Sequence, residues 1–403
     1  MILSLAWKNV WRNKKRSLII IAAIAIGLWA GLFASGVMYG MWNSAINSSV
    51  SRELSHIQIH TPQFTKENLI NYSIQNPNEV DSVLSANKNV LRFSKRVIIE
   101  GMASSASSSS GVRITGITPE TEKSITSVFS QVVEGDYLKG IKNNPIMIGK
   151  KLAEKLGLKL HKKIILSFQA PDGNIIYAAF RIAGIFETES SAFDKSNVFV
   201  KQKDLYSLFG NEIIHEYAVV LKDINKLDTV SDQLRKSLPG LEIETWKQLA
   251  PELQLTYELL IVELYVFLGI ILFALLFGIT NTMLMSVIDR IREFGILLAV
   301  GMKRIKIFNM IIIETILLSL TGGITGIILG YFTILYFGSA GINLSFFADA
   351  WALYGLSSQL YTELPLIFYP MLTLMIIFTA VFSAIYPSVK AIRLNPAEAI
   401  RTF

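Results

Sequence analysis

Few residues of this chain have the types and spacing that chemistry needs. His56 and His60 stand four apart in the alternating run His56-Ile57-Gln58-Ile59-His60, so on a strand they share a face and could begin a metal site. No Asp, Glu or Cys completes the set at a nearby spacing, so no metal is expected and exposed polar strand residues are the plainer reading. His161 and His215 fall in the same polar stretch of chain. Ser107 to Ser110 offer hydroxyls, but no GxSxG surrounds a nucleophile and no GxxxxGK[ST] cradles a phosphate. No catalytic residue is expected, and the chain by itself is read as non-enzymatic. Glu314 lies inside an apolar run, where a carboxylate is a functional candidate by default. It is also only two turns from Lys306, and snorkelling toward or pairing at the interface is the preferred reading.

What must position these groups is better read from the stretch Asp289 to Lys306, DRIREFGILLAVGMKRIK. Its middle, Phe294 to Val300, is apolar but too short to cross a bilayer, and its end carries Lys303, Arg304 and Lys306. Such a segment lies at the membrane surface or docks against a protein there. The alternative is a cytoplasmic loop with basic flanks.

Hydrophobic residues make up 51% of the 403, and charged residues only 17%, below the roughly 25% of a soluble domain. The net charge of +7 is not spread as a nucleic-acid footprint would be. Its surplus sits in three short pieces, each beside an apolar segment: Lys8, Arg12, Lys14, Lys15 and Arg16; then residues 289–306; then Lys390, Arg393 and Arg401. Charges between 18 and 288 cancel. This is the positive-inside pattern. The absence of cysteine excludes disulfides and thiolate metal sites. The apolar stretch after Ser17 is too long for a signal-peptide core and reads as a retained anchor.

The expected fold class is an α-helical membrane protein with four transmembrane helices and a large extracytoplasmic α+β domain inserted between helices 1 and 2. Residues 1–17 form a cytoplasmic amphipathic helix, with Trp7 and Trp11 on one face and basic groups reaching lipid headgroups. The spans are 18–40, 259–288, 307–336 and 365–387, the last ending at Pro387, with a cytoplasmic tail over 388–403. Gly322, Gly326 and Gly330 make a small-xxx-small ladder for helix packing. Residues 41–258 are the external domain, with a second subregion at about 132–210, and 337–364 is an external loop. Within the domain, Pro77 to Leu84 and Asp228 to Leu238 read as helices, and Val97 to Glu100 pairs with Val112 to Ile117. Ala103 to Gly111 between those strands reads as a flexible exposed loop. A helix at Lys150 to Leu156 closed by Gly157 is followed by strands at Lys163 to Phe168 and Ile175 to Ile185. Both termini and 289–306 then lie in the cytoplasm.

The run Ala6-Trp7-Lys8-Asn9-Val10-Trp11-Arg12-Asn13-Lys14-Lys15-Arg16 resembles the start of permease subunits of the lipoprotein-releasing and macrolide-exporter type, the FtsX-like class of ABC transporters. Asp289 to Gly301 is similar to that family's motif after the second helix, and Tyr386 to Arg401 to its C-terminal signature. Gly116 to Glu120 and Ile148 to Ala153 fit its external, MacB-like domain. Phe294 stands where an aliphatic residue is usual, and Leu298 where the family often has arginine.

The resemblance implies a permease of a bacterial inner membrane, with the large domain periplasmic. It implies a second permease subunit, identical or homologous, and an ABC ATPase dimer whose subunits, not this chain, bind ATP and Mg. It makes 289–306 the coupling helix, with Arg290, Arg292, Glu293, Phe294, Gly295, Leu298, Gly301, Lys303 and Arg304 at the ATPase. The whole layout is most similar to the lipoprotein-releasing, LolC/LolE-like branch. There, lipoproteins enter laterally and pass to a periplasmic carrier, and Ile46, Val50, Leu255 and Leu259 would face the acyl chains. Export of peptides or amphipathic drugs is the alternative within the family; a membrane-anchored scaffold is the alternative outside it. Force transmission to a cell-wall hydrolase fits a smaller external domain than this one.

Overall fold

The computed structural model describes residues 2–67, 69–141, 143–353 and 355–393. The C-terminal signature beyond Arg393 lies outside them. The chain divides into two compact units, one of Met1–Trp42, Tyr257–Asn343 and Gln359–Phe403, the other of Asn43–Thr256 and Leu344–Ser358. The fold is that of an α-helical membrane protein with four spanning helices and a large extracytoplasmic α+β domain between the first and the second.

Four helices are long and apolar enough to span a bilayer: Lys14–Leu54, Pro251–Asp289, Arg304–Ala340 and Phe368–Ile392. In hydrocarbon only a helix or a closed barrel pairs every backbone N–H and C=O, so uncharged apolar runs of this length become helices. The first extends beyond the apolar 18–40 core and finishes in a π-helical turn, Val50–Leu54. The second begins at Pro251, a residue suited to the first helical position, where no N–H is needed.

Small residues set how closely these helices pack. On the first helix, a Cβ at Gly31 would lie 2.6 Å from Ile271 of the second, and one at Gly36 would lie 2.9 Å from Ile334 of the third. The third helix turns Gly322, Gly326 and Gly330 toward Ile24, Leu28 and Leu32 of the first. Leu28 and Leu32 join Leu264, Leu268, Ile311 and Leu372 in a continuous apolar core.

The fourth helix does not end at Pro387 but continues to Ile392. A proline has no N–H to give the carbonyl four residues back. Here that carbonyl, on Ser383, accepts from the Thr280 hydroxyl of the second helix at 3.1 Å. A side chain far away in sequence thus satisfies the group the proline leaves free.

In the extracytoplasmic unit, ten strands are β1 (Ile57–His60), β2 (Val90–Ser104), β3 (Ser109–Ile117), β4 (Val132–Gly135) and β5 (Pro145–Gly149), then β6 (Lys163–Gln169), β7 (Ile175–Phe186), β8 (Asn197–Lys201), β9 (Glu216–Leu221) and β10 (Glu242–Thr245). Strands β2, β3, β8, β5, β7 and β6 pair in a ring, because β6 bonds both β7 and β2. Alternating Ile114, Ile146, Ile148, Leu166, Phe180 and Val198 fill its interior. The long strand β2 also carries the open side of the sheet, β9, β1 and β10. Apolar faces of the helices Pro77–Ala86 and Leu227–Ser237, through Val80, Leu84, Val230 and Leu234, join Ile57, Ile59, Tyr217 and Val219 of these strands in one core.

The serine-rich segment is not an exposed loop throughout. The β2–β3 ladder continues through it, with Ala103 opposite Ser110 and Ser104 opposite Ser109, and Ala103 and Ser110 are buried. Small side chains suit the crowded ring at that point, where β6 runs alongside from Ile165 to Phe168. Only Ser105 to Ser108 turns, with the Ser105 N–H donating to the Ser108 carbonyl at 2.8 Å.

Candidate coupling site

The second spanning helix stops at Asp289. Arg290 leaves helical geometry, and a short helix follows at Ile291–Ala299. It closes as a Schellman turn, with the Met302 N–H on the Leu297 carbonyl and the Gly301 N–H on the Leu298 carbonyl. Gly301 has φ +92°, which side-chain-bearing residues rarely adopt, and the third helix starts at Arg304. The two breaks hold the short helix apart from both spanning helices.

Periodicity then sorts its side chains. Phe294 and Gly295 are buried, with Leu297 and Leu298 packed against the membrane core. Arg292, Ile296, Val300, Gly301, Lys303 and Arg304 are exposed, Val300 at 83%. Ile296 and Val300 were not singled out from sequence, although their i, i+4 spacing on the face opposite Phe294 carried the signal. This exposed strip is apolar at its centre and basic at its rim.

Arg290 does not join that strip, and Glu293, though exposed beside it, is tied by ion pairs. Arg290 Nη1 donates to both Glu314 oxygens at 2.9 and 3.1 Å, Nε donates to Glu293 at 3.1 Å, and the guanidinium stacks over the Phe294 ring at 5.1 Å. Glu314, 4% exposed, is therefore a paired carboxylate, in keeping with its nearness to the interface. Glu293 also accepts from Arg12 at 2.7 and 2.8 Å, and Arg16 meets Asp289 at 2.7 Å. Burial acts to raise the Glu293 pKa, but the Arg12 and Arg290 guanidiniums outweigh it and hold the carboxyl below its usual range. Arg12 and Arg16 thus reach acids of the protein where headgroup contact was expected.

Of the four apolar residues expected to face acyl chains, Ile46 and Val50 line a cavity of about 480 Å³ with Ile125, Leu221, Ile224 and Trp246. Leu255 and Leu259 lie on the second helix, each 56% exposed, and are not among its walls.

Of the four histidines, His60 belongs to a buried polar network, His215 is also buried, His56 is half-buried and His161 is exposed. His60 sits 3.5 Å from Glu216, which pairs with Arg96 at 2.6 Å, and Arg96 holds Glu122 at 2.7 Å. Among the described residues no group of side chains is arranged to hold a metal. Burial chiefly lowers the His60 pKa and Arg113 adds to that, while Glu216 and Glu242 act against it. The folded chain therefore binds fewer protons at His60 than the unfolded chain, and stability is lost as pH falls through the ordinary imidazole range. His56 and His215 are lowered in the same way by burial. Chemical denaturation of the detergent-solubilised chain at about pH 7.5 and 5.5 should show a smaller loss for His60→Gln than for the native chain, with part of the slope remaining.

A multi-pass membrane chain with a large outer domain and a short surface helix between its second and third spans has the build of a transporter's membrane subunit. The MacB-like periplasmic core domain matches residues 17–237, more than half of the chain, and the FtsX-like permease C-terminal domain matches residues 265–396. The chain belongs to the FtsX-like, MacB-type family of ABC-transporter permeases, whose permease subunits are non-catalytic. It is 26% identical over 417 residues to the lipoprotein-releasing system transmembrane protein LolC of Buchnera aphidicola subsp. Schizaphis graminum, covering 97% of this chain and 95% of LolC. An uncharacterized ABC transporter permease of Methanocaldococcus jannaschii is 28% identical over 158 residues, which cover 38% of this chain and 40% of that one. The macrolide export ATP-binding/permease protein MacB of Aggregatibacter actinomycetemcomitans is 25% identical over 344 residues, covering 79% of this chain and half of MacB.

Proposed function

We infer that the chain is the permease of an ATP-driven complex that releases lipoproteins from the outer face of the membrane to an external carrier. A pair of permeases, of which this is one, sits on two ATPase subunits, which bind ATP and Mg. The observation that carries the ATPase half is the exposed strip of Arg292, Ile296, Val300, Lys303 and Arg304, an apolar centre with a basic rim on a helix closed at both ends. Residues Phe294, Gly295 and Leu298 hold that helix against the membrane core and act on the ATPase only through its position.

Support for lipoproteins comes from the likeness to LolC, which extends over nearly the full length of both chains. The cavity beside Ile46 and Val50 adds to it. Export of peptides or amphipathic drugs is the second reading, favoured by the likeness to MacB over 79% of this chain.

Photo-crosslinkers at Val50 and Leu255 in the complex, reconstituted in lipid, test both readings. Lipoprotein adducts that disappear on ATP addition, with release to a carrier, are the expected result. Robust ATPase without such adducts would sink lipoprotein release in favour of export. No associated ATPase would undo the transporter itself and leave a membrane-anchored scaffold.

A further inference from the structure

The N-terminal helix Ile2–Arg12 is built into the protein. Ala6 and Val10 are buried, Val10 in the membrane core, and Asn9 approaches the Met310 sulfur of the third helix at 3.9 Å. Ser17 bonds the Val10 carbonyl, and Arg16 also donates to the Thr282 carbonyl of the second helix at 2.5 Å. From this helix a relay of charge crosses the short surface helix: Arg12 to Glu293, Glu293 to Arg290, Arg290 to Glu314. Arg16 to Asp289 runs beside it.

We propose that Arg12, Arg16 and Glu314 are positioning residues for ATPase docking, clamping the surface helix to the first and third spanning helices so that all move together. This rests on the coupling role given above. Without the clamp, only Arg290, the Gly301 turn and the apolar packing of Phe294, Leu297 and Leu298 would tie the surface helix to the membrane core, across the breaks at Arg290 and Gly301. A push at Ile296 and Val300 would then be absorbed at those two breaks. With it, the push reaches the first helix through Arg12 and Arg16 and the third through Glu314. The pairing also offsets the charge of each acidic group of the surface helix and of its preceding turn. Asp289 and Glu293 are each held by an arginine, and the free charges around the strip are Arg292, Lys303, Arg304 and Lys306. The rim of the docking face therefore carries net positive charge around its apolar centre, and it fits a partner groove with acidic side chains at its rim.

The test is charge exchange in the full chain in nanodiscs, with binding of its ATPase subunit measured at moderate salt. Arg12→Glu should weaken binding about five- to tenfold, because the pair is half exposed and its loss is sharpened by repulsion from Glu293. Glu293→Arg should do the same. The double variant, with the charges exchanged, should bind about twofold or more better than either single without reaching the native chain, because an arginine at 293 then faces Arg290, and Arg12→Lys should stay near native. Thermal stability should hardly change in Arg12→Glu, which separates positioning from folding. Native affinity in Arg12→Glu, or a double variant no better than either single, would overturn the clamp alone. No ATPase binding by the native chain would overturn the coupling role on which it rests.

Discussion

Arg290→Ala is expected to lower the stability of the chain by about 3–5 kcal/mol, the usual penalty for leaving a buried charge without its partner. Glu314 is 4% exposed on a membrane-spanning helix, and both of its oxygens are engaged by that one guanidinium. Among the described residues no other cation bonds Glu314. Glu314→Gln should be milder, since Arg290 keeps Glu293 at 3.1 Å and its place over the Phe294 ring. The asymmetry between the two single variants is the signature of the arrangement, one acid with a single cation and one cation with two acids. Replacing both by apolar residues of similar volume, Arg290→Met with Glu314→Leu, should restore most of the stability, because the double variant buries no charge. It should not restore ATPase binding, because the relay from Arg12 then ends at Glu293. Thermal unfolding in detergent and ATPase pull-down on the same four proteins would separate the two effects. A double variant that recovered both would show the pair to be structural only.

Much of this architecture is written locally and could be read from sequence. Four uncharged apolar runs, basic pieces on one side, a Gly157 that closes the helix Lys150–Leu156, and alternating strands on either side of Pro171 are all signals within a few residues. The unread parts depend on residues distant in the chain. Arg12 and Glu293 are 281 positions apart, and no local pattern distinguishes an arginine aimed at a headgroup from one aimed at a carboxylate. Thr280 rescues the carbonyl freed by Pro387 across 103 positions, so the rule that proline ends a helix failed for lack of a partner visible in sequence. Ring closure by β6 on β2 turned a serine-rich linker into strand. The same information was needed to recognise that Arg290 and Glu293 are ion-paired while Arg292 and Lys303, among the described residues, are not. The family motif groups them with Arg292 and Lys303, and only geometry separates inward pairing from outward display.

Gly326→Leu should separate the first and third spanning helices and prevent a stably folded membrane unit from accumulating. A Cβ there would fall 2.7 Å from the Ala25 carbonyl oxygen and 3.1 Å from its Cα, and backbone cannot step aside as a side-chain tip can. Even Gly326→Ala should be damaging, by about 1–3 kcal/mol. At Gly322 the contacts are 2.9 Å to Ile24 Cβ and 3.0 Å to the Ile21 carbonyl, so alanine should cost nearly as much. Gly330 meets the Leu32 side chain, its tip at 2.9 Å and its Cβ at 3.0 Å, with no backbone atom among the three nearest, so alanine should cost less. Gly269 and Gly278 on the second helix meet nothing within 4 Å, and alanine there should be neutral or slightly stabilising through helix propensity. The expected order of damage is therefore Gly326, Gly322, Gly330, then Gly278. It follows from what each new methyl would strike and not from the spacing of the glycines. A ladder acting only through its four-residue repeat would give equal losses at 322, 326 and 330, and thermal unfolding of the alanine series in detergent discriminates between the two. Because the first helix also carries Arg16 and continues from Arg12, loosening it at Gly326 should weaken ATPase binding as well, tying the glycine contact to the same moving body as the charge relay.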